Sequence, residues 1–265
     1  MEIRPIFDPQ KMGRPMRIAA FMSGSGTNIK KLLAWQKKLE EREGKSPFEV
    51  IFIFSDRSDG KCVGEEIALD NGLPYFSYDI RAFHRIKSVS RSVDSEQGLS
   101  ARKQYDQIPR KLSAAFEIDV IALGGYMSYT TLPRCVNVHP ADLSILSPDG
   151  ARKYVGDNAV YDAIVAGEKN LRASTLWTDE GVDTGPLLMV SEAMPVELPE
   201  PLDKLIKDRD KLAEIVDTHQ EKLKRVGDWV IFPTTIEMIA RGRLAIDEQG
   251  NVYADGEKTE GGFRL

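Results

Sequence analysis

The sequence predicts an α/β protein built on a doubly wound, mostly parallel sheet with a Rossmann-like N-terminal half. Three observations lead there. Short, nearly continuous apolar runs recur (MRIAAFM at 16–22, FEVIFIF at 48–54, DVIAL at 119–123), as expected of strands buried on both faces. Segments with helical apolar spacing separate them. A glycine turn, Ser23-Gly24-Ser25-Gly26-Thr27-Asn28, closes the first run. The resulting βαβαβ order implies right-handed crossovers. Ligands of such sheets gather beyond the carboxyl ends of the strands, so the residues after Met22, Phe54 and Leu123 are the ones to watch.

Residues 1–15, with two prolines among mixed charges, read as an irregular lead-in. After the first strand and its turn, Ile29, Leu32, Leu33 and Trp35 return at helical spacing. The second strand ends at Ser55-Asp56-Arg57. A helix is expected over 62–71, stopped by Gly72 and followed by Pro74. Residues 79–104 are charged and serine-rich without a period, which predicts a surface excursion; a helix follows over 105–116. The third strand ends at Gly124-Gly125-Tyr126-Met127. Further on, 135–138 and 171–177 read as strands, 158–166 as a helix, and 187–196 as mixed alternation before a prolyl break. A charged helix with one buried stripe is expected over 203–225, and an apolar helix over 229–240. The tail from 246 to 265 has the glycine and charge content of a hairpin or of disorder. No repeat or low-complexity linker forces a cut within 16–245.

The chain has 265 residues, 42% apolar, enough for a sizeable core. Its net charge of −5 argues against a broad nucleic-acid or membrane footprint. Two cysteines, Cys62 and Cys135, are too few for a disulfide framework or a cysteine-built zinc site. No secretory leader or membrane span is legible, so a cytoplasmic protein is expected.

Three segments could carry chemistry. The Ser23–Asn28 turn offers main-chain amides at a helix N-terminus, where an anion is favoured. It lacks the P-loop lysine and the full GxGxxG spacing, so a phosphomonoester fits better than a nucleoside triphosphate. A tight βα connection without a ligand is the alternative. In Asn137-Val138-His139-Pro140, residues two apart on a strand share a face, so Asn137 and His139 would present an amide and an imidazole together. Both can donate to a developing oxyanion, and the imidazole can also shuttle a proton. A core or loop histidine is the plainer reading. His84 and His219 lie among charged residues and are expected to be solvated. Asp179-Glu180-Gly181-Val182-Asp183-Thr184-Gly185-Pro186 makes a tight acidic loop able to aim one carboxylate inward. It is too short in alternating oxygen ligands for a calcium loop, and no metal is expected.

Taken in order, SGSGTN, GGYM, NVHP and DEGVDTGP resemble the glycinamide ribonucleotide formyltransferase family of purine biosynthesis, over roughly Met16 to Ala245. The resemblance implies the formyltransferase type of α/β fold, with a phosphate-binding N-terminal half and a folate-binding, catalytic C-terminal half. It also implies an activity: the amine of glycinamide ribonucleotide attacks the formyl carbon of 10-formyltetrahydrofolate, used as co-substrate. The oxyanion-stabilising pair then falls on Asn137 and His139, and the proton-assisting acid on Asp183. Gly26, Thr27 and Asn28 match the phosphate turn. Arg102 in ARKQYD matches an arginine used near the substrate phosphate or the folate tail. Met127 and Pro140 would border the acceptor. Asp228, five residues before Pro233, matches a ribose-binding acid, with Asp in place of the usual Glu. Folate would lie against Tyr126, Met127, Ser128 and Tyr129 and against Thr178, Asp179, Glu180, Gly181 and Val182. The implied partners are small molecules, with no nucleic acid or membrane, for a monomer or homodimer.

The sequence also departs from the family pattern. Ser128 stands where an Arg usually follows Gly-Phe-Met, and Leu176 stands at about the place of a usual His. Ala141–Leu146 replaces Ser-Leu-Leu-Pro, and segments 84–104 and 151–158 are longer than the minimal form. DEGVDTG is closer to the methionyl-tRNA and sugar-nucleotide formyltransferases. Formyl transfer to another amine, hydrolysis of the formyl donor, and a non-catalytic folate- or phosphate-binding module are therefore the alternatives.

Overall fold

Asp8 caps a one-turn helix, α1 (Pro9–Met12), by accepting from two main-chain amides, and β1 (Met16–Met22) follows. The computed structural model describes residues 3–265. They form two units, one of Phe7–Asn137 with Ala240–Gly242, the other of Val138–Ile239 and Arg243–Leu265 with the chain up to Ile6.

In the first unit β1 pairs in parallel with β2 (Phe48–Ser55) on one side and β4 (Val120–Leu123) on the other. A short strand, β3 (Tyr75–Ser77), extends β2, and the first residues of β5 (Cys135–His139) pair with β4. The parallel order is therefore β5-β4-β1-β2-β3, a mononucleotide-binding winding whose reversal falls between β1 and β4. The expected α/β class and parallel strands are present. The core joins aliphatic side chains to a set of packed rings: Phe21 packs on Phe54, and Phe52 meets Phe76 and Phe116. Crossovers are supplied by α2 (Thr27–Glu43), α3 (Gly64–Asp70), α4 (Ile80–Lys87), α5 (Glu96–Tyr105) and α6 (Gln107–Ala115).

Three expectations change here. The 79–104 excursion is largely helical, with Asp79 and Ser95 capping α4 and α5. The helix expected over 105–116 is divided at Asp106. His84 is buried (3% exposed), because one turn after Ile80 it lies on the inward face of α4. Its Nδ1 donates to the carbonyl of Val89, and Nε2 has no hydrogen-bond partner among the described residues. Burial holds its pKa below the ordinary 6.5, and the charges of Arg102 and Arg91 push the same way. The unfolded chain takes up that proton more readily. Stability present above about pH 6.5 is thus expected to fall as pH drops towards the folded-state pKa. His84→Gln should flatten that part of a melting-temperature profile; an unchanged slope would show that other groups set it.

In the second unit α7 (Ala159–Val165) leads to β6 (Asn170–Leu171) and β7 (Ser174–Trp177). The expected 171–177 strand is thus two strands with different partners. β8 (Leu187–Val190) pairs antiparallel with β7, while β9 (Met194–Pro195) pairs with β6. After α8 (Leu202–Leu205), α9 (Arg209–Leu223) passes through a π-helical turn, Lys224–Asp228, into α10 (Trp229–Ala240). His219 is also buried rather than solvated. With Leu212, Val216 and Leu223 it makes the inward stripe of α9, its Nδ1 donating to the Ile215 carbonyl and its Nε2 accepting from the Glu197 amide. The tail is ordered: β10 (Leu244–Ile246), β11 (Val252–Ala254) and β12 (Glu257–Lys258) form a small antiparallel sheet, and β13 (Phe263–Arg264) pairs in parallel with β8. Among the described residues no helix is long and apolar enough to cross a membrane.

Candidate functional site

The first unit gathers polar groups past the ends of β1, β2 and β4. Gly26 is the N-cap of α2 at φ +61°, with no side-chain cap on the first-turn amides. A Cβ there would meet only the movable ends of the Ile67 and Met22 side chains, so it is the left-handed backbone that calls for glycine at this turn. The turn is tied to the loop after β4: Ser23 donates its amide to the Gly125 carbonyl, and its Oγ accepts from the Met127 amide at 2.9 Å. Asn28 is buried, its Oδ1 without a hydrogen-bond partner among the described residues, and Thr27 is half-buried. This fits an anion cradle at a helix N-terminus.

Alongside sits a buried charged cluster. Asp56 Oδ2 accepts from Ser128 Oγ at 2.5 Å, and its Oδ1 has no hydrogen-bond partner among the described residues. Arg102 is buried, one nitrogen 3.9 Å from Asp106, with Nε and Nη1 bonded to no described residue. Asp106 accepts from the amide and hydroxyl of Thr131, yet burial raises its pKa. Burial also raises the phenols of Tyr105 and Tyr126. Met127 is 69% exposed, while Tyr129 is half-buried. Asp56 lies among the residues after Phe54 that the sequence marks, but the sequence alone assigns it no role.

In the second unit the histidine and the acidic loop come together. Nδ1 of His139 lies 3.4 Å from Oδ2 of Asp183, their side chains 7% and 10% exposed. The same Oδ2 accepts from the Gly156 amide at 3.0 Å. His139 Nε2 is 3.1 Å from the Tyr154 carbonyl. A carbonyl only accepts, so Nε2 carries a proton and Nδ1 is where a further proton can be taken up or released. Pro140 ends the strand and is half-buried. Asp183 adopts φ +54°, a left-handed conformation costing a non-glycine residue about 1–2 kcal/mol. Gly185 allows the close return of the loop, since a Cβ there would fall 1.9 Å from the Trp177 carbonyl. Along the loop Thr178 is half-buried, while Asp179, Glu180, Gly181 and Val182 are exposed. Asp228 is buried in the π-helical turn. Such turns are frequent where function requires a side chain to be re-aimed. Asn137 stands two residues before His139 on β5, opposite Leu123 of β4. Among the described residues no three His, Cys, Asp or Glu side chains are grouped to hold a metal ion.

The formyl transferase family profile matches residues 16–211. The trifunctional purine biosynthetic protein adenosine-3 of Drosophila melanogaster is 27% identical over 244 residues, covering 89% of this chain and 15% of that protein. The chain thus spans under a fifth of that relative's length. The phosphoribosylglycinamide formyltransferase of Haemophilus influenzae is 23% identical over 241 residues, covering 91% of this chain and 94% of its own. Among solved structures, glycinamide ribonucleotide transformylase 1 from Symbiobacterium toebii superposes with a TM-score of 0.62 at 26% identity, covering 91% of this chain and 95% of that one. The phosphoribosylglycinamide formyltransferase from Coxiella burnetii superposes at 0.64 and 22% identity, covering 95% and 100%, a likeness of fold.

Proposed function

Because the chain belongs to the formyl transferase family, we propose that it transfers a formyl group from 10-formyltetrahydrofolate to the amine of glycinamide ribonucleotide, a step of purine biosynthesis. The observation that carries this reading is the buried His139–Asp183 pair, 3.4 Å apart on the strand and loop where the sequence pattern expects the proton-handling groups.

In this proposal the folate supplies the formyl carbon and leaves through its N10 nitrogen. Asn137 and His139 donate to the oxygen that becomes negative when the amine adds, a stabilisation strongest where water is excluded. A bond forms from the amine nitrogen to the formyl carbon and the bond from that carbon to N10 breaks. The proton lost by the amine passes by way of His139 and Asp183 to N10. Donation from Nε2 of His139 requires the Tyr154 carbonyl to yield its hydrogen bond. The α2 amides, with Gly26, Thr27 and Asn28, would hold the phosphate; Arg102 the phosphate or the folate tail; Asp228 the ribose. Met127 and Pro140 would border the acceptor. Tyr126, Ser128, Tyr129 and the loop Thr178–Val182 would hold the folate, with exposed Val182 on the loop's outer face. We place the enzyme in the cytoplasm, acting on small molecules as a monomer or homodimer without a metal.

The test is release of tetrahydrofolate from 10-formyltetrahydrofolate with and without glycinamide ribonucleotide. Amine-dependent release is expected. Release without the amine would make the protein a hydrolase of the formyl donor, and binding without release a folate-binding module.

A further inference from the structure

The segment before α7 holds the His139–Asp183 pair from three sides. Tyr154 accepts from His139 through its carbonyl, and Gly156 donates its amide to the Asp183 carboxylate. The third hold is a guanidinium. Arg152 donates through Nη1 to the Asp183 carbonyl and through Nη2 to the Gly185 carbonyl at 2.7 Å. It springs from a tight hairpin in which the Ser147 amide bonds the Ala151 carbonyl, the Lys153 amide bonds the Ile145 carbonyl, and Asp149 accepts from Ser147 and Ala151. A planar two-pronged donor on a rigid base fixes two carbonyls at once in a set geometry, which a freely rotating ammonium holds less firmly.

Arg152 is half-buried, and its hydrogen bonds go to neutral carbonyls rather than to a carboxylate. Burial pushes its pKa down, and the nearby Asp179 and Asp183 charges only partly offset this. A charge is costly to bury for packing alone. What it holds is the one residue of the acidic loop in a left-handed conformation, Asp183. Released from that conformation, the carboxylate would swing away from the imidazole.

The geometry points to Arg152 as a positioning residue for the reaction: its guanidinium clamps the carbonyls of 183 and 185 and so fixes the Asp183 carboxylate beside His139. This inference rests on the formyl-transfer reading above. It assigns a task to a segment that the family resemblance marks only as longer than the minimal form.

The experiment is a double-mutant cycle on the whole protein, with Arg152→Ala, Arg152→Lys, Asp183→Asn and Arg152→Ala/Asp183→Asn. Arg152→Ala is expected to lower kcat by about 10- to 100-fold, as displacements of about 1 Å do, with both KM values within about twofold. Arg152→Lys should recover part of the loss. In the Asp183→Asn background, removing Arg152 should cost less than about twofold, because nothing is left to position. An unchanged kcat, or an equal loss with and without the Asp183 carboxylate, overturns the assignment. If the unaltered protein transfers no formyl group, the function proposed above fails. The clamp is then judged by crystal structures of Arg152→Lys and Arg152→Ala. Asp183 withdrawn from His139 in the alanine variant supports it, whereas an Nδ1 to Oδ2 separation unchanged in the alanine variant overturns it.

Discussion

Replacing Asn137 with alanine is expected to slow turnover by about 10²–10³-fold, or about 3–4 kcal/mol of transition-state stabilisation, with both KM values nearly unchanged. On β5, alternation gives Asn137 and His139 a common face; in the proposed reaction an amide N–H donating to the formyl oxygen would strengthen its bond as negative charge gathers there. The interaction is weak in the ground state, so its loss appears in kcat. His139 remains as a second donor, which is why the effect stops short of abolition. Asn137 is only half-buried, so truncation leaves little cavity and the variant should fold normally. Steady-state kinetics with both substrates varied decides the matter; turnover within threefold of the parent removes Asn137 from the reaction.

The second large effect is on stability. Phe52→Ala is expected to cost about 3–5 kcal/mol, the range for truncating a fully buried aromatic side chain. Phe52 has no exposed surface and sits on β2 with Phe76 and Phe116 at ring-centroid distances of 5.4 and 5.3 Å. Edge-on and tilted ring pairs add about 0.5–1.5 kcal/mol beyond the area buried. At about 2–4 °C per kcal/mol for a chain of this order of size, thermal unfolding should begin roughly 10 °C lower. Ile86→Ala, at an 80% exposed position on α4, is the control and should barely move the transition. A Phe52→Ala protein as stable as that control would show that the cluster can collapse around the gap.

The legible parts of the fold are those whose signal is local and one-signed. β1, β2 and β4 read correctly because strands buried on both faces are apolar without interruption, and the turn after β1 because Gly26 needs a left-handed backbone. The edge strand β3 escaped notice because three residues, Tyr75–Ser77, carry no period. Helices α4 and α5 were hidden by counting charges instead of faces. His84 lies four residues after Ile80, and His219 falls in the stripe Leu212, Val216, Leu223, so spacing marks both as inward where composition does not. In the candidate site, side chains named by a motif could be anticipated, and His139 with Asp183 is the pair the structure brings together. The holds supplied by the Tyr154 carbonyl and the Gly156 amide could not, since main-chain groups leave no trace in residue type. Arg152 is one arginine among many until the loop it grips is folded.

The five residues Lys224–Asp228 wind more loosely than the helices on either side. A wide turn of this kind amounts to one extra residue lodged in a continuous rod. Excising that residue would restore ordinary winding but would spin the α9 portion by about 100° about the axis relative to α10. The bearing of the Asp228 carboxylate is therefore set by chain length as much as by side-chain identity. Enlarging it to glutamate lengthens its reach, whereas a deletion upstream would redirect it altogether.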